Sequence, residues 1–386
     1  MTKTYKILIV LLLLVAIGYL YRAELKGVTT QYIGFSEENI FNTYMPKLNL
    51  SEKNMNNLNI TTSKATTIST SSSSASKQSV NEADSKDGKI QKEDSSNHLT
   101  PSEVLRGGNG VIFLETTDRM EPPSLVLCVI ESAARVYKDR PVVYFMKGLK
   151  EINSEEAKNK YLPVFSSIKN IYIFPLKMEE VFAETPLLPW YNKVDPKREV
   201  YWTHVSADGC RLALIWKHGG IYLDTDIISL QQIPHQDFLA REGSGSFGNS
   251  AFGFSPHYDF AWKCMEDFVR NYRGEIWGYQ GPTLLTRIAM QMCTFPKDST
   301  NDFICGNITG LKSDRLYPLL YPSWQRYYEV WDKEPTFNES YGVHLWSYMN
   351  RNEHKSMVPR SNTLVEHLYQ NNCPSTYDLV AKQTNA

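Results

Sequence analysis

The chain has 386 residues, with 41 Lys and Arg against 42 Asp and Glu and a formal charge of −1. This balance argues against nucleic acid as the partner, because binding phosphates calls for a basic surface. Hydrophobic residues make up 42% of the chain, enough for one large core or two fused halves.

Lys3 and Lys6 precede an apolar run at residues 7–21, and Arg22 and Lys26 follow it. At about 15 residues the run is shorter than the roughly 20 that usually span a bilayer, so a signal peptide and a short anchor are the two readings. No small-x-small cleavage site follows, and short spans suit thin internal membranes, so the expectation is a signal-anchor. Residues 1–6 then form a cytosolic tail and the body is luminal. Residues 22–108 read as a flexible stem. Its stretch "TTSKATTISTSSSSASKQSV" (Thr61 to Val80) buries too little apolar surface to offset the entropy of ordering. Asn49, Asn59, Asn307 and Asn338 stand in Asn-x-Ser/Thr triplets and would accept glycans in a lumen. All six cysteines, Cys128, Cys210, Cys264, Cys293, Cys305 and Cys373, lie beyond the stem without C-x-x-C spacing. Disulfides are expected rather than zinc, with the pairing left open.

The body, residues 109–386, alternates in type. "VIFLE" (Val111 to Glu115) reads as a strand, "PSLVLCVIESAARVY" (Pro123 to Tyr137) as an amphipathic helix opened by proline, and "PVVYFM" and "IYIFPL" as further strands. "SADGCRLALIWKH" (Ser206 to His218) reads as a helix ended by Gly219 and Gly220, and "IYLDTD" as the next strand. Such alternation implies an α/β fold with a mostly parallel central sheet and helices on both faces. Ligands of such sheets bind at the carboxyl ends of the strands.

Asp224 and Asp226 stand at such an end, two apart, and on a strand they would share a face. Adjacent carboxylates repel unless a cation lies between them. Hard oxygen ligands select Mn²⁺ or Mg²⁺, and an ion with open positions can clamp a diphosphate and neutralise it as it leaves. A D-x-D triplet also arises by chance, and on a loop it would serve capping or turn duty.

The stretch "RLALIWKHGGIYLDTDIISL" resembles the core of the glycosyltransferases with a DXD-containing sugar-binding region. "FLETTDR", "ESAARVY", "FMKGL", "TPLLPWY", "WGYQGPTLLTR" and "YGVHLW" extend the likeness, in order, to the α-1,4-glycosyltransferase family. That resemblance implies a type II Golgi membrane enzyme of GT-A, Rossmann-like fold that uses a UDP-sugar and Mn²⁺ and retains anomeric configuration. The expected transfer is of galactose or N-acetylgalactosamine from its UDP-sugar to a terminal sugar of a glycosphingolipid. The alternatives are α-1,4-N-acetylglucosaminyl transfer to glycoprotein glycans and a catalytically silent, lectin-like protein. A metal-dependent hydrolase would need further clustered ligands that the sequence does not display.

By the same resemblance Asp224 and Asp226 hold the metal and the UDP diphosphate, and Asp208 with Arg211 holds the donor sugar. The other reading of that pair is an i,i+3 helix salt bridge. His344 and Trp346 are placed near the metal and β-phosphate, although a histidine among apolar residues is often a satisfied core residue. Gln280 is placed on the acceptor side of the sugar, against a turn stabilised by its amide. Glu115 and Asp118 end the first strand where the nucleotide is expected, against capping of the next turn. Asn249 and Phe252 line a pocket or a glycine-rich loop. Trp190, Trp277 and Trp346 stack on sugars or serve the core. No carboxylate is marked as a nucleophile, so retention is expected by front-face departure, with the metal, Arg211 and His344 stabilising the leaving UDP.

Overall fold

The computed structural model describes residues 99–243, 245–296 and 300–384. The apolar run at 7–21, the stem as far as residue 98, and Asn49 and Asn59 lie outside the described residues. Among the described residues no helix is long and apolar enough to cross a membrane.

Eight strands make the main sheet: β1 (Val111–Glu115), β2 (Val142–Met146), β3 (Ile171–Pro175), β4 (Gly220–Leu223), β6 (Phe238–Arg241), β7 (Phe247–Phe254), β8 (Phe303–Cys305) and β9 (Ile308–Leu311). Their order is β3-β2-β1-β4-β7-β6-β9-β8. The half from β3 to β4 is all parallel. Beyond β4 the pairings turn antiparallel at β7, β6 and β8, with β6 and β9 parallel. The expected α/β sheet is therefore present, and its parallel character is concentrated in the half that precedes Asp224. A separate ribbon pairs β5 (Ile227–Ser229) with β10 (Gly342–His344).

The parallel strands read as continuous apolar runs because helices cover both faces. On β1, Val111 and Phe113 pack into one core, while Ile112 and Leu114 pack into the other. The first face is covered by helix α1 (Ser124–Val136) and by the C-terminal helices α5 (Leu364–Asn372) and α6 (Pro374–Thr384). The second face is covered by α2 (Trp202–His218), α3 (Asp259–Arg270) and α4 (Pro282–Met292). Helix α2 starts four residues before the stretch read as helical and ends at Gly219, φ +66°. Gly220 follows at φ +96°, and a Cβ there would collide with the Gly110 carbonyl oxygen. The Gly-Gly pair thus lets α2 turn directly into β4, alongside β1.

The folded body reaches back past the expected boundary at residue 109. A short helix at Pro101–Val104 carries a capping box between Thr100 and Glu103, and Leu105 is 1% exposed in the second core. Two disulfides form, Cys128–Cys373 and Cys293–Cys305, while Cys210 and Cys264 are buried free thiols. The "SFGNSAFGF" segment is strand β7 rather than a loop. Phe252 on it is fully buried in the second core.

Candidate active site

The Asp224-Thr225-Asp226 triplet is a turn, not the end of a strand. Strand β4 stops at Leu223, the Ile227 N–H donates to the Asp224 carbonyl (3.1 Å), and β5 begins there. The two carboxylates therefore do not converge by sharing a strand face. What fixes the turn is tertiary: the Asp224 N–H donates to the Ser250 carbonyl on β7 (2.7 Å), and the Leu345 N–H donates to the Asp226 carbonyl (2.9 Å).

The β5–β10 ribbon supplies the third member. Its register sets His344 opposite Ile227, which brings His344 Nε2 to 3.2 Å from Asp226 Oδ1. One ligand atom each from Asp224, Asp226 and His344 lies within 4.8 Å of the others. The Ser347 N–H holds the second oxygen of Asp226 at 2.8 Å. Burial alone would raise the Asp226 pKa, but His344 and the Ser347 N–H outweigh it and hold the carboxyl below its usual range. Burial likewise works against a charged His344, yet Asp226 chiefly, then Asp224 and Glu242, hold its pKa above the ordinary value. The set suits a divalent ion. It offers two carboxylates and an imidazole within one small space, and His344 Nδ1 is buried with no hydrogen-bond partner among the described residues.

A second group backs the turn from α2. Arg211 is 7% exposed, and its Nη1 lies 2.9 Å from Asp224 Oδ1. The same nitrogen donates to the Asn249 carbonyl (2.7 Å), and Nε donates to the Ala207 carbonyl (3.2 Å). The guanidinium rests over the Tyr222 ring, 4.5 Å from its centroid, and the Tyr222 hydroxyl donates to Asp224. Asp208 lies 3.5 Å from Arg211 and accepts from Asn249 Nδ2 at 2.7 Å. Burial pushes the Asp208 carboxyl up to about 6, with Arg211 opposing the rise and Asp224 adding to it. Asp208 and Arg211 are thus more than a helix salt bridge, since Arg211 ties α2, β7 and the metal turn together. Its removal would take from the partly exposed Asp224 its nearest cation and leave the Asn249 carbonyl without that donor.

Other expected residues lie elsewhere. Gln280 is 1% exposed, with its amide committed to the backbone: Nε2 donates to the Phe268 carbonyl (2.8 Å), and Oε1 accepts from the Arg273 N–H (3.0 Å). Its amide stabilises the loop before α4, where the buried Phe268 carbonyl and Arg273 N–H need those partners. Glu115 accepts from the Thr117 N–H and hydroxyl, and Asp118 pairs with Lys147 (3.0 Å). Both therefore serve the turn after β1, and among the described residues neither is bonded to the metal turn. Trp190 is a core residue packed on Phe268 and Tyr272. Trp346 is buried with its Nε1 donating to the Leu319 carbonyl, and its ring stands edge-on to His344 at 4.2 Å. It packs against the histidine from a left-handed backbone at φ +56° that a bulky residue keeps only when the surroundings demand it. Asn249 orients Asp208, as above.

The residues sequence reading missed are Tyr222, Ser347 and Glu242. Burial pushes the Glu242 carboxyl up to about 7, with His344 opposing and Asp224 adding. The local signal for Tyr222 was its position two residues before Asp224 on an apolar strand. Glu242 and Ser347 had none.

In the comparisons with known proteins, residues 123–244 match the glycosyltransferase sugar-binding region containing the DXD motif, and residues 253–380 match the alpha 1,4-glycosyltransferase conserved region. The chain is 48% identical to human alpha-1,4-N-acetylglucosaminyltransferase over 282 residues, 72% of this chain and 82% of the relative. It is 35% identical to mouse lactosylceramide 4-alpha-galactosyltransferase over 298 residues, 76% of this chain and 82% of the relative. Among solved structures, the PaToxG glycosyltransferase overlays 47% of this chain and 69% of its own at 20% identity, with a TM-score of 0.39, too loose a match to carry weight.

Proposed function

The chain belongs to the alpha-1,4-glycosyltransferase family, and on that premise we propose that it moves a hexose from a UDP-sugar to a hydroxyl of an acceptor glycan at a Mn²⁺ centre held by Asp224, Asp226 and His344. The observation that carries this is the convergence of those three side chains within 4.8 Å beside the buried Arg211. A divalent ion bound there would neutralise the diphosphate as it leaves.

The chain's own groups do the positioning. Arg211 and Tyr222 fix Asp224, and His344 and the Ser347 N–H fix Asp226. Asp208, oriented by Asn249, takes the hydroxyls of the donor sugar, which a carboxylate accepts well. Retention proceeds by front-face departure in this reading. Asp208, Asp224 and Asp226 are each engaged by a neighbouring cation or donor, which leaves none of them free to act as the nucleophile of a two-step route.

UDP-N-acetylglucosamine is the proposed donor, in place of the galactosyl donor preferred from sequence. Identity of 48% to the N-acetylglucosaminyltransferase against 35% to the galactosyltransferase supports it. Glycoprotein glycans are then the proposed acceptors. We place the body in the Golgi lumen behind an anchor at residues 7–21, as the flanking Lys3 and Lys6 suggest.

A donor panel tests the reading, with full-length protein in detergent, Mn²⁺ and UDP-N-acetylglucosamine, UDP-galactose or UDP-N-acetylgalactosamine. UDP-N-acetylglucosamine is expected to give kcat/KM roughly tenfold or more above the others, about 1.4 kcal/mol of discrimination. A higher value with UDP-galactose overturns the donor assignment. No transfer from any of the three overturns the catalytic reading.

A further inference from the structure

Trp277 and Tyr348 are 42% and 36% exposed, and their rings lie face to face with centroids 4.1 Å apart and planes 14° apart. His204 stands edge-on to both, at 4.4 and 5.2 Å. The Arg351 guanidinium sits 4.1 Å from the Tyr348 centroid. Since Trp277 occupies one face of Tyr348, Arg351 covers the other. Tyr201 also stands edge-on to Trp277, at 5.5 Å, and Trp277 remains 42% exposed.

Each segment of this stack also carries a group of the reaction site. Tyr348 directly follows Ser347, whose N–H holds Asp226. His204 lies on α2 one turn ahead of Asp208, on the same face of the helix. The loop bearing Trp277 runs on to Gly281, where a Cβ would strike Asn249 and Asp208. His204 lies close enough to Asp224, Arg211 and Arg351 to feel their charges. The aromatic pair is thus continuous with the site and stands at its solvent edge.

Burying a tryptophan is among the larger gains open to an apolar side chain, and here 42% of one is left exposed on a loop that runs on to the residues beside Asp208. Asp208 and Arg211, proposed for the donor sugar, are each only 7% exposed. The exposed Trp277 ring is thus the part of this assembly most open to a second substrate. A pyranose presents C–H bonds on its faces and hydroxyls around its rim, which suits a flat aromatic surface flanked by a hydrogen-bonding group.

We propose that Trp277, backed by Tyr348 and flanked by His204, is the acceptor platform: the terminal pyranose of the acceptor stacks its C–H face on the Trp277 ring, and His204 bonds a rim hydroxyl. The proposal rests on the transferase reading above and adds to it a site for the second substrate.

The test uses full-length protein, the best acceptor from a panel of simple aryl and alkyl pyranosides, and calorimetry with UDP and Mn²⁺. Trp277→Ala is expected to raise the acceptor KM roughly tenfold or more, as loss of a large stacking surface implies. UDP affinity should stay within about twofold of wild type, and Trp277→Phe should recover most of the acceptor KM. If Trp277→Ala also loses UDP binding, Tyr348→Leu is read by the same criteria. An acceptor KM within about twofold of wild type, with UDP binding kept, overturns the platform alone. A wild-type protein that binds no UDP overturns the transferase reading and the platform with it.

Discussion

Glu131 and Asp226 are both carboxylates drawn into the protein, and the fold treats them in opposite ways. Glu131 on α1 is fully buried, and its oxygens accept from the Thr376 N–H and hydroxyl (2.8 Å each), the Ser375 N–H (3.0 Å) and Arg135 Nε (2.9 Å). It sits at the N-terminus of α6, where free N–H groups and the helix dipole favour an anion. Three residues before it, Cys128 is bonded to Cys373, just ahead of the same helix. This region closes the chain onto α1, and its polar capacity is used up. Asp226, with its side chain 13% exposed, and Asp224, 28% exposed, are held by His344 and Arg211, yet one ligand atom each from the two acids and His344 converges within 4.8 Å. A saturated buried acid marks a joint of the fold, whereas partly exposed acids that converge on one another and on an imidazole mark a site.

If that contrast is right, equal substitutions in the two regions have unequal consequences. Asp226→Asn keeps shape and volume while removing a charge from the metal set, so turnover is expected to fall by about 10²–10³ or more. The melting temperature should fall only modestly, since Asn keeps the shape while His344 loses its charged partner. A variant that keeps Mn²⁺-dependent transfer within tenfold of wild type would remove Asp226 from the site. At the other region, Cys128→Ser should cost about 2–5 kcal/mol of stability by opening the Cys128–Cys373 link. Denaturant unfolding measures the loss, and kcat per folded molecule is expected to hold. A drop in kcat without a drop in stability would mean that the joint communicates with the site.

Asp208 sharpens the contrast further, because it belongs to both categories. It is bonded to Asn249 and Arg211 but faces the proposed sugar pocket. Asp208→Ala is expected to lower kcat/KM by roughly 10- to 100-fold, the effect of about 1.5–3 kcal/mol for a hydrogen bond to a charged group. UDP binding by calorimetry should be nearly unchanged. A smaller effect appears with pH. Burial raises the Asp208 pKa to about 6 from its ordinary 3.8, so the native state binds the proton more tightly than the unfolded chain does. The stability this contributes is fully present below the unfolded value and is lost as pH rises to about 6. Asp208→Asn lacks that titration, so in the metal-free protein it should gain stability relative to wild type from pH 4 to pH 6. A constant difference between the two in urea unfolding across that range would refute the burial account.

Local pattern determined much of this protein by itself. The β–α–β alternation, the Gly219-Gly220 entry to β4 and the acidic triplet after it were all legible, because strand and helix periodicity, proline and glycine act within a few residues. The order of family motifs was legible for the same reason. Side-chain destinations were set by contacts far apart in the chain. Asp224 and Asp226 looked like neighbours on a strand face, yet a turn held by Ser250 and Leu345 aims them. His344 reaches them through the β5–β10 register, which no local spacing encodes. Gln280 sits between glycines much as a ligand-binding amide would, but the nearby Phe268 carbonyl and Arg273 N–H claim it. Phe252, Glu242, Ser347 and the cysteine pairing were decided in the same way. Composition limits what a segment can form, whereas the unpaired groups that a residue meets once the sheet has closed decide what that residue does.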